Sequence, residues 1–245
     1  MFTVEQRDRA QERILELAKA DPRVVAGAAV GSLATGPGDR WSDLDLTFGV
    51  AHGAALTEVL EDLTHKVVDE FEAVVLFDLP FESTIYRVFL FPGVLQVDLS
   101  FTPASDFGAR GPHWKLLFGE EIQREHTQPP PATEIFGYAV HEAVRARFCI
   151  ERGRLWQAVY LIDDVRDHAF ALASLRRGFE AAYARGAHQL PEEVQASFED
   201  TLVRSLDPEE LLRALRSAVG ALQREAVDAQ DLVDRVEPHL REIQA

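Results

Sequence analysis

Two aspartates separated by a single leucine, Asp43-Leu44-Asp45, interrupt an apolar run from Trp41 to Val50 and constrain this chain more than any other feature. In an extended backbone successive side chains point to opposite faces. Asp43 and Asp45 therefore share one face of a strand, and Leu44 and Leu46 share the other. Two carboxylates side by side repel each other unless a cation neutralises them. Oxygen-only ligands suit hard Mg²⁺, which completes its shell with water and substrate phosphates. About ten residues upstream, Val30-Gly31-Ser32 forms a turn that can lend backbone N–H groups and a hydroxyl to phosphate oxygens. Read together, the segment has the composition of a Mg-nucleotide site.

The order apolar-Gly-Ser, a spacer of about ten residues, then Asp-x-Asp resembles the nucleotidyltransferase superfamily typified by DNA polymerase β. The resemblance runs from the N-terminus to about residue 105. It implies a short mixed sheet flanked by helices and a third carboxylate on a later strand. Asp98 in Leu95–Phe101 fits that role, because Gln96, Asp98 and Ser100 face away from Leu95, Val97 and Leu99. The implied reaction is attack by an acceptor hydroxyl on the α-phosphorus of a nucleoside triphosphate, with loss of pyrophosphate. Two metal ions about 3.5–4 Å apart would stabilise the attacking and leaving oxygens. By the same resemblance, Asp43 and Asp45 hold both ions and Asp98 holds the one that activates the acceptor. Gly31 and Ser32 would hold the terminal phosphates, with Arg40 as the first basic partner and Arg87 and Lys115 behind it. The plain alternatives are a phosphate-free turn, solvated acids and ordinary surface bases.

Composition narrows the class. A chain of 245 residues with 47% apolar residues can bury a proper core, as one domain or two. A net charge of −16 disfavours a nonspecific nucleic-acid binder and an anionic-membrane binder. The single cysteine, Cys149 between Phe148 and Ile150, excludes an intrachain disulfide and reads as a packed thiol. No apolar run is long enough to span a bilayer, and the polar N-terminus does not read as a signal peptide, so the expected compartment is the cytoplasm.

The pattern along the chain predicts an α+β fold. A helix is expected over 4–20, a strand over 24–30, a loop over 33–40, the acid-bearing strand over 41–50 and a helix over 55–71. A strand over 73–79 and a hairpin of 84–91 with 94–101 around Pro92-Gly93 complete the first part. The run Gln128-Pro129-Pro130-Pro131 favours extended geometry and marks a boundary. The expected division is a nucleotidyltransferase domain over 1–127 and a helical, substrate-binding bundle over 128–245. Helices are expected at 133–152, 154–177, 192–204, 208–229 and 231–243. This arrangement resembles, in architecture only, the small-molecule nucleotidyltransferases that inactivate aminoglycosides and lincosamides.

In the helical half, Phe136, Val140, Val144 and Phe148 form one expected core stripe, and Glu142 beside it is a candidate general base. A solvated Glu142–Arg145 pair is the plainer reading. On the next helix Trp156, Tyr160, Asp163, Asp164 and Asp167 crowd one face. Aromatic rings beside acids, with Trp156, Tyr160, Asp163 and Asp167 as substrate-binding candidates, suit a cationic, sugar-bearing acceptor. Packing of the rings and solvation of the acids explain the same residues. The leading expectation is therefore Mg-dependent transfer of AMP from ATP to a hydroxyl of a small molecule such as an aminoglycoside-like antibiotic. The alternatives are a protein or tRNA acceptor, as in toxin–antitoxin members, and an inactive nucleotide-binding module. A homodimer is compatible with the resemblance, whose helical-domain members can build sites across a dimer.

Overall fold

Thr3 starts the first helix. Its hydroxyl accepts from the Gln6 N–H while the Thr3 N–H donates to Gln6 Oε1, a reciprocal capping box. This helix, α1 (Val4–Lys19), buries Ala10, Ile14 and Ala18 along one side. The computed structural model describes residues 1–245, and the chain falls into two units, Met1–Thr127 and Gln128–Ala245.

The first unit is α+β. After α1 come β1 (Val24–Val30), a single-turn helix α2 (Ser32–Thr35), β2 (Leu44–Val50) and α3 (Leu56–Phe71). Then follow β3 (Val74–Phe81), β4 (Thr84–Phe91), β5 (Leu95–Pro103) and β6 (Trp114–Phe118). The strands form one six-stranded sheet in the order β3-β4-β5-β2-β1-β6. Every neighbouring pair is antiparallel except β2 and β5, which run parallel. The hairpin around Pro92-Gly93 forms as its sequence indicates, with Phe91 opposite Leu95. Gly93 takes φ +80, and a Cβ there would approach the Phe2 backbone N to 2.8 Å.

One face of the sheet carries Leu44, Leu46, Phe48, Val97, Leu99 and Phe101, all buried in a single cluster with Ile14, Ala18, Val59, Leu63 and Val67 from α1 and α3. Alternation places Asp45, Thr47, Asp98, Ser100 and Thr102 on the opposite face. At one edge β3 leaves Phe77, Leu79 and Phe81 exposed, although β4 pairs with it along its length.

The second unit is all-helical: α4 (Ala132–Glu151), α5 (Leu155–Leu175), α6 (Glu192–Ser197), α7 (Pro208–Glu225) and α8 (Gln230–Gln244). Asp207 caps α7 by accepting from the Glu209 N–H, and Pro208 occupies the first helical position, where its missing N–H costs nothing. Ala139, Ala143, Ala146, Ala158, Ala169, Ala214 and Ala218 are all buried where α4, α5 and α7 meet. Such small side chains let helix backbones approach closely. Cys149 is buried and free.

Several sequence expectations change. The 33–40 segment is not wholly loop, because α2 occupies its first turn. The acid-bearing strand begins at Leu44, so Asp43 precedes it rather than lying within it. Residues 192–204 are broken into α6 and a 3₁₀ turn at 199–201. β6 has no clear strand pattern of its own and forms by pairing with β1. Phe148 is exposed; the buried stripe of α4 runs through Ile135, Phe136, Ala139, Ala143, Ala146 and Cys149 instead. Alanine says little in a pattern of large apolar residues, yet here it marks the packed side.

Asp21 sits just before β1 and shows how the first unit holds its entry to the sheet. Its carboxylate takes two bonds from the Arg23 guanidinium, at 2.9 and 2.6 Å, and one from the Arg23 N–H at 3.0 Å. Those bonds, Arg23 first, lower its pKa from 3.8 to about 2. A carboxyl whose pKa falls on folding stabilises the fold above its unfolded value and loses that contribution as pH falls through the folded one. Asp21→Asn is therefore expected to lower stability near pH 7 by roughly 1–2 kcal/mol after allowance for solvent screening. In urea titrations, the native protein should lose this stability between about pH 4 and about pH 2, and the variant should not.

Candidate active site

The site is built on the parallel pairing of β2 with β5. Leu44 lies beside Val97, Asp45 beside Asp98, and Thr47 beside Ser100. In-register parallel neighbours point the same way, about 4.8 Å apart. Asp45 and Asp98 thus stand side by side on the face away from the core. Asp43, one residue before the strand, lies close enough to Asp98 to repel its charge. Burial first, and then the Asp43 carboxylate, push the Asp98 pKa above its ordinary value, while a 3.2 Å bond from Gln96 Nε2 works against them. The Asp43 and Asp98 carboxylates therefore repel each other, which a cation between them would relieve.

Gly31 closes the site from the end of β1. It takes φ +68, and a Cβ built on it would come within 2.5 Å of Asp45 Oδ2. The carboxylate therefore packs into the space that the missing side chain leaves. The Gly31 N–H donates to the His113 carbonyl at 3.2 Å, so this amide is already used. Ser32, exposed at the start of α2, retains the hydroxyl expected of a phosphate ligand.

Asp43 follows a segment that is held rigidly. Arg7, 2% exposed on α1, donates from Nη1 to the Asp39 carbonyl at 2.8 Å and from Nη2 to the Pro37 carbonyl at 3.1 Å. Asp39 in turn accepts from the Trp41 N–H at 2.7 Å, and its own N–H donates to Ser42 Oγ at 2.9 Å. Arg7 belongs to none of the sequence motifs. A cation on the buried side of an amphipathic helix is the signal that could have found it. Arg40 lies in this segment with its guanidinium over Phe2, at 5.1 Å, and Trp41, at 4.6 Å. Its Nη1 is buried without a hydrogen-bond partner. Arg87, in contrast, is committed to structure. It bonds Asp78 at 2.7 Å, Glu61 at 2.8 Å and Thr64 at 2.9 Å, which removes it as a phosphate ligand.

The donor chemistry fits a divalent cation. The groups are carboxylate oxygens only, Asp98 is raised in pKa by burial and its neighbour, and the glycine leaves room at Asp45. No three His, Cys, Asp or Glu side chains converge closely enough to form a metal cluster.

The remaining candidates lie in the helical unit. Glu142 on α4 is close enough to Asp164 on α5 to raise its pKa, second to burial itself. Trp156 and Tyr160 stand one turn apart on α5, 75% and 65% exposed, so neither is part of the core. Arg166 bonds Asp163 at 2.8 Å and lies 3.9 Å from Asp167. Two of the acids expected to meet an acceptor therefore share an arginine.

No family model and no curated protein matches the chain. Among solved structures, it is similar to an aminoglycoside 6-adenyltransferase from Bacillus subtilis, at 14% identity and a TM-score of 0.38 over 99% of each chain. It is also similar to a nucleotidyltransferase-like protein from Exiguobacterium sibiricum, at 13% identity and a TM-score of 0.42, covering 93% of this chain and 78% of that one. A Helicobacter pylori protein aligns at 12% identity and a TM-score of 0.31, covering 94% of this chain and 96% of that one.

Arg7→Met tests the loop clamp. Losing the two carbonyl contacts together with the ion pair to Asp8 should destabilise the protein by roughly 2–4 kcal/mol in urea unfolding. Amide exchange at residues 38–43 should quicken more than exchange in α3. Unchanged protection there would remove Arg7 from the positioning of Asp43.

Proposed function

We propose that the chain is a Mg-dependent nucleotidyltransferase that moves a nucleoside monophosphate, most simply AMP from ATP, to a hydroxyl of a small molecule. The observation that carries the reading is the in-register pair Asp45–Asp98, with Asp43 beside it and Gly31 cut back against Asp45. A half-buried Asp98, its pKa raised by burial and then by the nearby Asp43, gains little for stability, and a cation would offset both causes. When bound there, Mg²⁺ would act as a Lewis acid and lower the pKa of an oxygen nucleophile.

The chain's own residues supply the rest. Asp45 and Asp98, from two adjacent strands, and Asp43, just before the first of them, would present the oxygens that hold the metal. Ser32 offers a hydroxyl and the N-terminal turn of α2 to phosphate oxygens. Arg40, stacked on two rings with one nitrogen unpartnered, is the cation nearest in sequence to the acids and is assigned to the triphosphate. Trp156 and Tyr160 provide exposed ring faces for a sugar-bearing acceptor. Asp163 and Asp167 belong to the same face but share Arg166, so the like-charged Glu142–Asp164 pair is where an acceptor ammonium would be most favoured. Glu142 remains the candidate base.

Labelled ATP incubated with the purified protein, Mg²⁺ and an aminoglycoside panel should label a small molecule. Label on protein or tRNA would instead identify a macromolecular acceptor, and tight binding without turnover would identify a nucleotide-binding module. Asp43→Asn and Asp45→Asn should each reduce transfer at least about 100-fold, the upper end of what losing even a supporting partner of a metal ligand costs. Near-normal transfer in either variant would sink the metal assignment. Mg²⁺ should raise the Tm of the native protein and leave that of Asp45→Asn unchanged, because a ligand stabilises only the state that binds it. Gly31→Ala should lower transfer while costing about 1–2 kcal/mol of stability, since it places a Cβ at positive φ against Asp45.

A further inference from the structure

Beyond the acids, the same face of the sheet continues as a row of hydroxyls. Ser100 lies beside Thr47 on one side and opposite Tyr86 on the other. One step further along the strands come Thr102 and Thr84. Each step is two residues, about 6.6 Å along the strand. In β2 the matching position is Gly49, beside Thr102, over which the Phe107 ring packs. These hydroxyls line a cavity of about 220 Å³ whose lining includes Trp114, its ring 5.1 Å from that of Phe107 and tilted to it by 59°. The cup lies wholly within the first unit and starts one pair of residues past Asp45 and Asp98.

Its lining is unusual in two ways. Thr47, Thr84, Ser100 and Thr102 are each more than nine-tenths buried. Moreover, Thr102 Oγ1 has no hydrogen-bond partner in the protein. A buried hydroxyl left unpaired costs free energy, so such groups almost always meet a partner. The charges around the cup do not favour an ionic partner. Arg110 is bound to Glu82 at 2.8 Å, covers the Phe81 ring at 5.2 Å and reaches Thr84 Oγ1 at 3.5 Å, so its donors are already engaged and Thr84 retains its own O–H for a ligand. Asp106, also in the lining, would repel a phosphate. Uncharged hydroxyls that both donate and accept, with the apolar Trp114 side chain in the same lining, match the O–H groups and C–H surfaces of a sugar or cyclitol ring.

We propose that this cup binds a neutral, polyhydroxylated ring and holds it next to the three carboxylates. As a subsite of a transfer reaction it rests on the reading given above; as a binding site it does not. Two sources share this chemistry, the ring of an acceptor and the ribose of a nucleotide.

The test uses the full chain with ¹³C-labelled threonine methyl groups, titrated with myo-inositol, adenosine and inorganic pyrophosphate. Inositol or adenosine should shift the Thr47, Thr84 and Thr102 methyl signals and leave Thr201, in the helical unit, unmoved. Shifts with inositol identify an acceptor-type ring, and shifts with adenosine alone identify the ribose. Thr102→Val keeps the shape and removes the hydroxyl, and binding read at Thr47 and Thr84 should weaken about fivefold, the loss of one neutral hydrogen bond. Ser100→Ala serves the same purpose if Thr102→Val does not fold. No shift with either ring compound, equal shifts with pyrophosphate, or affinity unchanged in both variants would overturn the proposal and leave water as the partner of Thr102. Magnesium-dependent stabilisation is measured in parallel. If it is absent while the ring compounds still bind, the transfer reading fails and the cup stands.

Discussion

The parallel, in-register pairing of β2 with β5 is the constraint on which the first unit depends. It sets Leu44, Leu46 and Phe48 beside Val97, Leu99 and Phe101 on one face and Asp45 beside Asp98 on the other. A slip of one residue in either strand would turn an acid into the apolar cluster and a leucine out of it. Burial of those large side chains therefore fixes the position of the carboxylates. Parallel neighbours also need a long connection, supplied here by α3 and the β3–β4 hairpin. The hydrophobic core and the candidate site are two faces of one pairing.

Other parts of the unit serve that face at some cost. Asp45 and Asp98 stand side by side on adjacent strands, and Asp98 is raised in pKa there by burial and then by Asp43. Gly31 adopts a left-handed conformation and leaves space that Asp45 uses. Arg7 is buried to hold two carbonyls of the segment leading to Asp43. None of these is the most stable solution for a sheet of this size, and sites where local rules are broken together are where function is expected. The hydroxyl row beyond the acids belongs to the same pattern, with its unpaired Thr102 Oγ1.

The helical unit is different in kind. Its core is ordinary, with alanines bringing α4, α5 and α7 together. What stands out is on its surface. Trp156 and Tyr160 are exposed on α5, where burial would have been the simpler use of an aromatic ring, and Glu142 raises the pKa of Asp164 across the α4–α5 pair. Arg166 bonds Asp163 at 2.8 Å and lies 3.9 Å from Asp167, while Asp164 faces Glu142 instead.

Much is legible in the order of residues alone. Alternation around Asp43-Leu44-Asp45 and around Asp98 identifies which side chains share a face, because the two-residue period of a strand is local. Proline at 92 with glycine at 93 marks the hairpin, and Asp207-Pro208 marks a helix start, because each acts through its own backbone. The α+β class follows from these periods. The partner of each strand is not legible, because register depends on which distant faces bury each other. Hence β6, the Asp45–Asp98 pairing and the hydroxyl row appear only in three dimensions. The same reason explains Arg87, a surface base by composition that folding buries among Asp78, Glu61 and Thr64, and Phe148, apolar by type yet left outside by alanines that pack more closely. Local chemistry chose the residues, and long-range burial chose their neighbours.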